Sequence, residues 1–311
     1  MCIIVAKKFP GIGWVGAKLR DRGYIPLIEI IQSNRRSIQR LYLSDSESKY
    51  TEGLNEFGVC IISASLAVKD DEKEIIVAQK MKKYDATYMS PDGKKIRDAL
   101  YEKTPKAALK HLIDEKLSGN TLIFNKDECW VLEAGVVMEY EENPDAKNEE
   151  DILIRKKSDF IYKFKQIKDD YVVRTNHGIL LPQFGYQKDD KSPDKKRSYK
   201  SSLIRFKYAT EAIENTRIPD DLLDTLSERK NEKGPDIEYM NMVRTGNIKN
   251  HEMVTTGMIQ LIASECTMHY KPIFSDVKFS YTKLNSENSK TFFEVVSNRR
   301  LLGFKEFLKS H

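Results

Sequence analysis

Cys2 stands directly behind Met1, so removal of one residue would leave a thiol and a free α-amine on the same residue. An ordinary thiol titrates near ~8.5 and an α-amine near ~7.7 to 8.0, so at neutral pH the amine is able to take the thiol's proton. Nucleophile and general base would then be one residue. Position alone does not establish this, because a small residue at position 2 is also how a first strand begins. The chemistry needs partners from elsewhere in the chain.

Four polar residues at strand ends, turns and a helix start are candidates. Asp21 precedes Arg22-Gly23, Asn55 lies in Glu52-Gly53-Leu54-Asn55-Glu56-Phe57-Gly58, Asn176 in Arg174-Thr175-Asn176-His177-Gly178, and Arg205 early in a helical segment. Singly, each has a plain explanation: Asn near Gly is turn chemistry, an Asp beside Arg is a surface pair, and an Arg on a helix is solvated. Other chemistries find less support. Gly11-Ile12-Gly13-Trp14-Val15-Gly16 matches the spacing of a dinucleotide loop, but Pro10 precedes it and Gly23 and Pro26 interrupt any following helix, so a hairpin between the first two strands is expected. The five histidines have no metal-ligand spacing, no phosphate-binding loop is present, and neither a metal nor a cofactor is expected. Cys2, Cys60, Cys129 and Cys266 form no CxxC pair, which suits free thiols in a reducing, cytoplasmic compartment.

The elements that must position these residues follow from periodicity. With 311 residues, 32% charged and 40% hydrophobic, and a net charge of +5, the composition is that of a soluble globular chain. It demands no nucleic acid. Met1 to Ala6 runs into Lys7 and Lys8, too short for an export signal, and no stretch approaches a membrane span. Cys2 to Ala6 reads as a buried strand, followed by strand-like segments at 24–32, 59–67, 120–124, 129–140, 159–167 and 171–173, with Asn125 to Glu128 as a hairpin turn. Helical spacing from Gly93 to Ser118, with Thr104-Pro105 as an N-cap and first-turn proline, predicts two consecutive helices. A second pair is expected over 200–216 and 220–230, before strands at 253–263 and 271–281. Runs of strands and runs of helices indicate an α+β fold with antiparallel sheets. The charged segment Lys188 to Lys200 is expected to be an exposed loop, part of an insertion at about 186–200 in one domain spanning 2–311.

Taken together with Cys2, these segments resemble the penicillin V acylase and choloylglycine (bile salt) hydrolase family of N-terminal nucleophile (Ntn) hydrolases. Ala17-Lys18-Leu19-Arg20-Asp21 is similar to the family's A-R-x-x-D segment, with Asp21 twentieth counting from Cys2. Glu52 to Val59 resembles D-G-x-N-E-x-G-L, Thr175-Asn176 the T-N segment, Ser202-Leu203-Ile204-Arg205 the S-x-x-R segment, and Phe124 to Glu133 a hairpin ending W-V-x-E. The order agrees, and the match spans roughly residues 2 to 206. Lys18 departs from the family's Arg, keeping the charge but not the two-pronged fork.

The resemblance implies a four-layer αββα sandwich of two antiparallel sheets flanked by helices, and hydrolysis of a linear amide by Cys2 after loss of Met1. It further implies that Asp21 holds the α-amine, that Asn55 and Asn176 bind the oxyanion or substrate, that Arg205 lowers the thiol pKa, and that Lys18 contacts substrate. A small acyl-amide is the implied partner, and relatives are often homo-oligomers. Competing readings of the same N-terminal Cys are glutamine amidotransfer, acyl transfer from a thioester, and a non-catalytic protein that retains the fold.

Overall fold

The opening apolar run extends to Phe9 as strand β1 (Ile3–Phe9), which is buried on both faces along its first half. That is why its sequence is a continuous β-branched run and not an alternation. The structure, a computed structural model, describes residues 2–22, 26–45, 49–66, 92–142, 153–191, 193–227, 240–244, 254–273, 279–281 and 289–294. β1 turns through Gly11 and Gly13, at φ of 75° and 91°, into β2 (Gly13–Arg22), so the glycine-rich segment is the expected hairpin. The tip of this hairpin rests on the Asn125 to Glu128 turn, where Trp14 N donates to Lys126 O at 3.2 Å.

The strands form two antiparallel sheets. The second contains β3 (Leu27–Arg35), β4 (Ile38–Asp45), β5 (Thr51–Asn55), β6 (Cys60–Ala64), β7 (Gly119–Phe124), β8 (Cys129–Glu142), β9 (Leu153–Gln166) and the late strand β14 (Ser289–Glu294), in the order β14-β3-β4-β5-β6-β7-β8-β9. With β10 (Tyr171–Arg174), β11 (Val254–Ile262), β12 (Thr267–Pro272) and β13 (Phe279–Tyr281), the first sheet runs β10-β1-β2-β11-β12-β13. Helices α1 (Asp92–Ala99) and α2 (Pro105–Asp114) cover the second sheet, and α3 (Pro193–Asn215) and α4 (Leu222–Ser227) cover the first. The start of α2 is as expected: Thr104 Oγ1 accepts from Ala107 N at 3.2 Å, with Pro105 at the first helical position.

Three apolar layers follow. Ile3, Val5, Ala17 and Leu19 pack against Tyr208, Ala209 and Leu223 on the helical side of the first sheet. Cys2, Ile4 and Ala6 face the gap between the sheets, with Leu41, Leu54 and Ile62 opposite. Ile61, Ile123 and Leu132 meet Ile96, Leu109 and Leu112 outside the second sheet. This is the αββα sandwich that the resemblance implies.

One expectation is corrected. The charged segment from Lys188 to Lys200 is not a loop throughout, because α3 begins at Pro193. Proline and Asp194 favour a helix start, yet the inward face opens with Ser198, Ser201, Ser202 and Arg205 before any apolar side chain. A search for apolar periodicity passes over a helix whose first buried turns are polar.

β2 carries an unusual load. Its alternation places Lys18, Arg20 and Arg22 on the face toward the second sheet, where Glu52 of β5 accepts from both Lys18 and Arg20. Arg20 Nη2 lies 3.7 Å from Asp45 Oδ2 at the end of β4, and Arg22 Nε donates to the same oxygen at 2.9 Å. The side chains of Lys18, Arg20, Glu52 and Asp45 are fully buried, and that of Arg22 is 11% exposed. Charges withdrawn from water at this depth are tolerated only as a jointly paired set, and removing one member typically costs ~3 to 5 kcal/mol. Glu52→Gln is therefore expected to lower unfolding free energy by about that amount, read as a reduced urea midpoint. A midpoint unchanged from wild type would refute the ladder's role in joining the sheets.

Candidate functional site

Antiparallel register brings the candidates to one end of the first sheet. Ile3 pairs with Leu19 and Ile4 with Lys18, so Cys2 shares the inter-sheet face with Lys18, whereas Asp21 points with Leu19 toward the helices. Asp21 pairs across to Thr255 of β11, whose Oγ1 donates to Asp21 Oδ1 at 2.8 Å. Its other oxygen lies 2.7 Å from Arg205 Nη1 and 3.7 Å from Arg244 Nε. Burial alone would raise the Asp21 pKa, but Arg205, Arg244, the chain's amino terminus and the Thr255 hydroxyl outweigh it and hold the carboxyl below its usual range. Asp21 is thus a fixed anion beside the start of the chain.

Asn176 reaches Cys2 from the loop after β10. Its Oδ1 accepts from Cys2 N at 2.8 Å, while its Nδ2 donates to Ser65 O at 2.6 Å, just past the end of β6. A nitrogen donor on one side and a carbonyl on the other fix which way the amide faces. In this arrangement its donor is engaged by Ser65, and the oxygen clamps the backbone nitrogen of Cys2. Ser65 itself is exposed, so the clamp lies next to solvent.

The loop that carries Asn176 is tied down on several sides. Asn120 Nδ2 donates to Thr175 O at 2.7 Å, and Ser202 Oγ of α3 accepts from Asn176 N at 3.1 Å. Glu133, the last residue of the W-V-x-E segment, is fully buried. It accepts from Arg174 Nε at 3.0 Å and, through Oε2, from the successive backbone N–H groups of Ile179, Leu180 and Leu181. Ser202 and Arg205, three residues apart on one helical face, therefore hold the Asn176 loop and Asp21 respectively. His177 is buried and neutral: burial, then Arg174, depresses its pKa to about 4, and its Nδ1 lies 2.9 Å from both Thr175 Oγ1 and Ser202 Oγ. It serves packing, not proton transfer.

Two candidates do other work than the resemblance implies. Asn55 Oδ1 accepts from Phe57 N and Val59 N, each at 3.0 Å, and its Nδ2 donates to Leu100 O at 2.9 Å and Glu102 O at 2.7 Å. All these partners are backbone groups, so Asn55 closes the β5–β6 turn onto the end of α1. Lys18 donates to Glu52 and, at 2.6 Å, to Ser63 O, with its ammonium 4.7 Å above the Tyr50 ring. Buried in this way, it acts on Cys2 through its field.

Cys2 is 4% exposed. Burial pushes the thiol pKa up, yet Lys18, the amino terminus and Arg22 together overcome burial and the opposing charge of Asp21, bringing it down to about 7. Arg22 Nη1 donates to Cys2 Sγ at 3.7 Å. Cys60, Cys129 and Cys266 are shifted the other way, with burial as the main cause in each. Arg205 faces Asp21 and Met242 O, and the largest charge effects on the thiol come from Lys18, the amino terminus, Arg22 and Asp21. Reading the sequence missed Arg22, although the K-x-R-x-R alternation from Lys18 to Arg22 signals three cations on one strand face. It also missed Thr255 and Arg244, for which no local pattern exists. Among the described residues, no group of three or more His, Cys, Asp or Glu could hold a metal.

No family model matches the sequence, and no curated protein matches it either. Solved structures do. Penicillin V acylase from Agrobacterium tumefaciens superposes with a TM-score of 0.50 at 8% identity, over 96% of this chain and 93% of that one. A Caenorhabditis elegans N-acylethanolamine-hydrolyzing acid amidase ortholog gives 0.46 at 11% identity over 85% and 93%. A variant of conjugated bile acid hydrolase from Clostridium perfringens gives 0.45 at 11% over 95% and 98%. The chain thus has the Ntn-hydrolase fold, and its resemblance to penicillin V acylase extends over nearly its whole length.

Two outcomes are expected. Asn55→Ala strands two carbonyls and two N–H groups, and should lower unfolding free energy by ~2 to 4 kcal/mol without moving the Cys2 titration. The far-ultraviolet thiolate absorbance lost in Cys2→Ser should titrate with a midpoint of about 7. Because the folded pKa lies below the unfolded one, Cys2 adds stability that grows as pH rises from about 7 toward the ordinary thiol value and is lost below about 7. A midpoint at the ordinary thiol value would contradict the site's electrostatics.

Proposed function

We propose that this protein is a cysteine Ntn hydrolase that cleaves a linear amide C–N bond, with Cys2 as nucleophile and its own α-amine as base once Met1 is removed. The observation that carries this reading is the 2.8 Å bond from Cys2 N to Asn176 Oδ1, which holds the future amine in place beside a thiol of lowered pKa. The likeness to penicillin V acylase supports the same reaction class through the fold.

Lys18 and Arg22 favour the thiolate, so the proton shared between thiol and amine rests on nitrogen. Asp21 and Asn176 favour that ammonium. The thiolate attacks the amide carbonyl, the C–N bond breaks as the ammonium passes its proton to the departing nitrogen, and a thioester to Cys2 remains. The neutral amine then takes a proton from water, whose oxygen attacks the thioester, releasing the acid and restoring the thiolate beside the ammonium. Lys18 and Arg22 offset the sulfur's charge at the start and end of the cycle.

Intact mass spectrometry should show loss of one methionine, and a panel of penicillin V, N-acyl amino acids, acyl-homoserine lactones and conjugated bile acids should reveal a hydrolysed amide. Cys2→Ser should reduce that hydrolysis to background, and Asn176→Ala should lower kcat by ~10²-fold, as for loss of one positioned polar contact at a reacting centre. Full activity in protein that retains Met1 would sink the α-amine as base. Unreduced activity in Cys2→Ser would sink the nucleophile.

A further inference from the structure

Arg22 is the one ladder cation that makes a hydrogen bond to the nucleophile. Its Nη1 donates to Cys2 Sγ at 3.7 Å and to Asp21 O at 2.8 Å, while Nε is held by Asp45 Oδ2 at 2.9 Å. The guanidinium is therefore aimed by two oxygens and presented to the sulfur, in the way a planar fork with several fixed donors allows and an ammonium does not. Lys18 has the larger effect on the same sulfur through its charge, but its donors are given to Glu52 and Ser63 O. Resting on the reading of Cys2 as nucleophile, we propose that Arg22 is the residue that positions and stabilises the Cys2 thiolate, with Asp45 as the anchor that orients it.

The surroundings of the sulfur define what else must be held constant. β2 contributes Lys18, Asp21 and Arg22, and the segment before β5 contributes Tyr50, whose ring lies 5.9 Å from the Arg22 guanidinium and whose hydroxyl donates to Ser63 Oγ. Glu52 of β5 and Asp45 of β4 touch the sulfur's field only through the cations they bind. Burial holds the Tyr50 hydroxyl in its neutral form, so it does not titrate with the thiol. Over the pH range in which Cys2 ionises, Arg22 is a constant full charge. The assignment also divides the cations. Arg205 secures the anion on the helical side of β2, and Arg22 secures the thiolate on the sheet side.

The test is the thiolate titration of the full chain, read as absorbance lost in the matching Cys2→Ser background. Arg22→Gln should raise the midpoint by ~1 unit, the low end of the range for loss of a charge within ~4 to 6 Å, and Arg22→Lys should recover most of that shift. Arg22→Met, which keeps an apolar stem beside Tyr50, provides a second neutral variant should the glutamine form fail to fold, with near-ultraviolet dichroism as the check on folding. A midpoint equal to wild type in either folded neutral variant would overturn the proposal. So would a shift in Arg22→Lys as large as that in Arg22→Gln. The titration reads the sulfur whether or not any amide is turned over. A failed substrate screen with a shifted midpoint would count against the amidase reading alone, and active hydrolysis with an unshifted midpoint would count against Arg22 alone.

Discussion

The ion-pair ladder between the sheets is the constraint from which the rest of the site follows. Lys18, Arg20 and Arg22 project from one face of β2 into a gap otherwise filled by Leu41, Leu54 and Ile62, and Glu52 and Asp45 answer them from the opposite sheet. An apolar set of the same volume would hold two sheets together at least as well, since desolvating five charged groups consumes most of what their attraction returns. The ladder provides direction instead. Its pairs tie β2 to β4 and β5 of the facing sheet, and that placement brings Cys2 to the cationic end of the gap.

On the other face of the same strand, a second set of charges completes the arrangement. Asp21 is gripped by Arg205 of α3, Arg244 and Thr255, so strand β2 carries cations toward the sheet and an anion toward the helices at neighbouring positions. Helix α3 connects this anion to the Asn176 loop, because Ser202 and Arg205 share a face one turn apart. Glu133 extends the connection to the second sheet by collecting Arg174 and three backbone N–H groups of the same loop. The nitrogen of Cys2 is therefore held by residues drawn from separate parts of the chain, each fixed by a buried polar contact of its own.

How much of this was legible in the sequence depended on whether the signal was local. The Thr104-Pro105 helix start, the Asn125 turn and the strand that follows Cys2 each write their physics into adjacent residues, and each was read correctly. Motif spacing pointed to Asn176 and Arg205 as site residues but not to their pairing with Cys2 and Asp21, because partners 174 or more residues apart leave no local trace. One error has a physical cause. The start of α3 lies in the segment expected to be loop, because its buried face opens with serine and arginine. Binary patterning equates polar with exposed, and it fails where buried polar groups find partners in another element. Asn55 shows the converse: it sits in the family-like segment, yet its amide is satisfied by a turn and a helix end.

The contrast among the four cysteines isolates what lowers the thiol pKa of one of them. Cys2, Cys60 and Cys129 all face the same inter-sheet core and are comparably buried, so desolvation opposes the thiolate in each. Burial alone would leave three inert thiols. Cys60 has a backbone carbonyl as its hydrogen-bond partner, Gly58 O at 3.6 Å, which supports the protonated form. Cys2 instead receives a guanidinium donor at a similar distance, with Lys18 behind it. The low dielectric that penalises an isolated charge strengthens its attraction to a fixed opposite one, so the same burial that silences Cys60 sharpens the field at Cys2. The lowered thiol pKa at this position comes from Lys18 first, then the amino terminus and Arg22, and a thiol one strand further from β2 would lie further from both ladder cations.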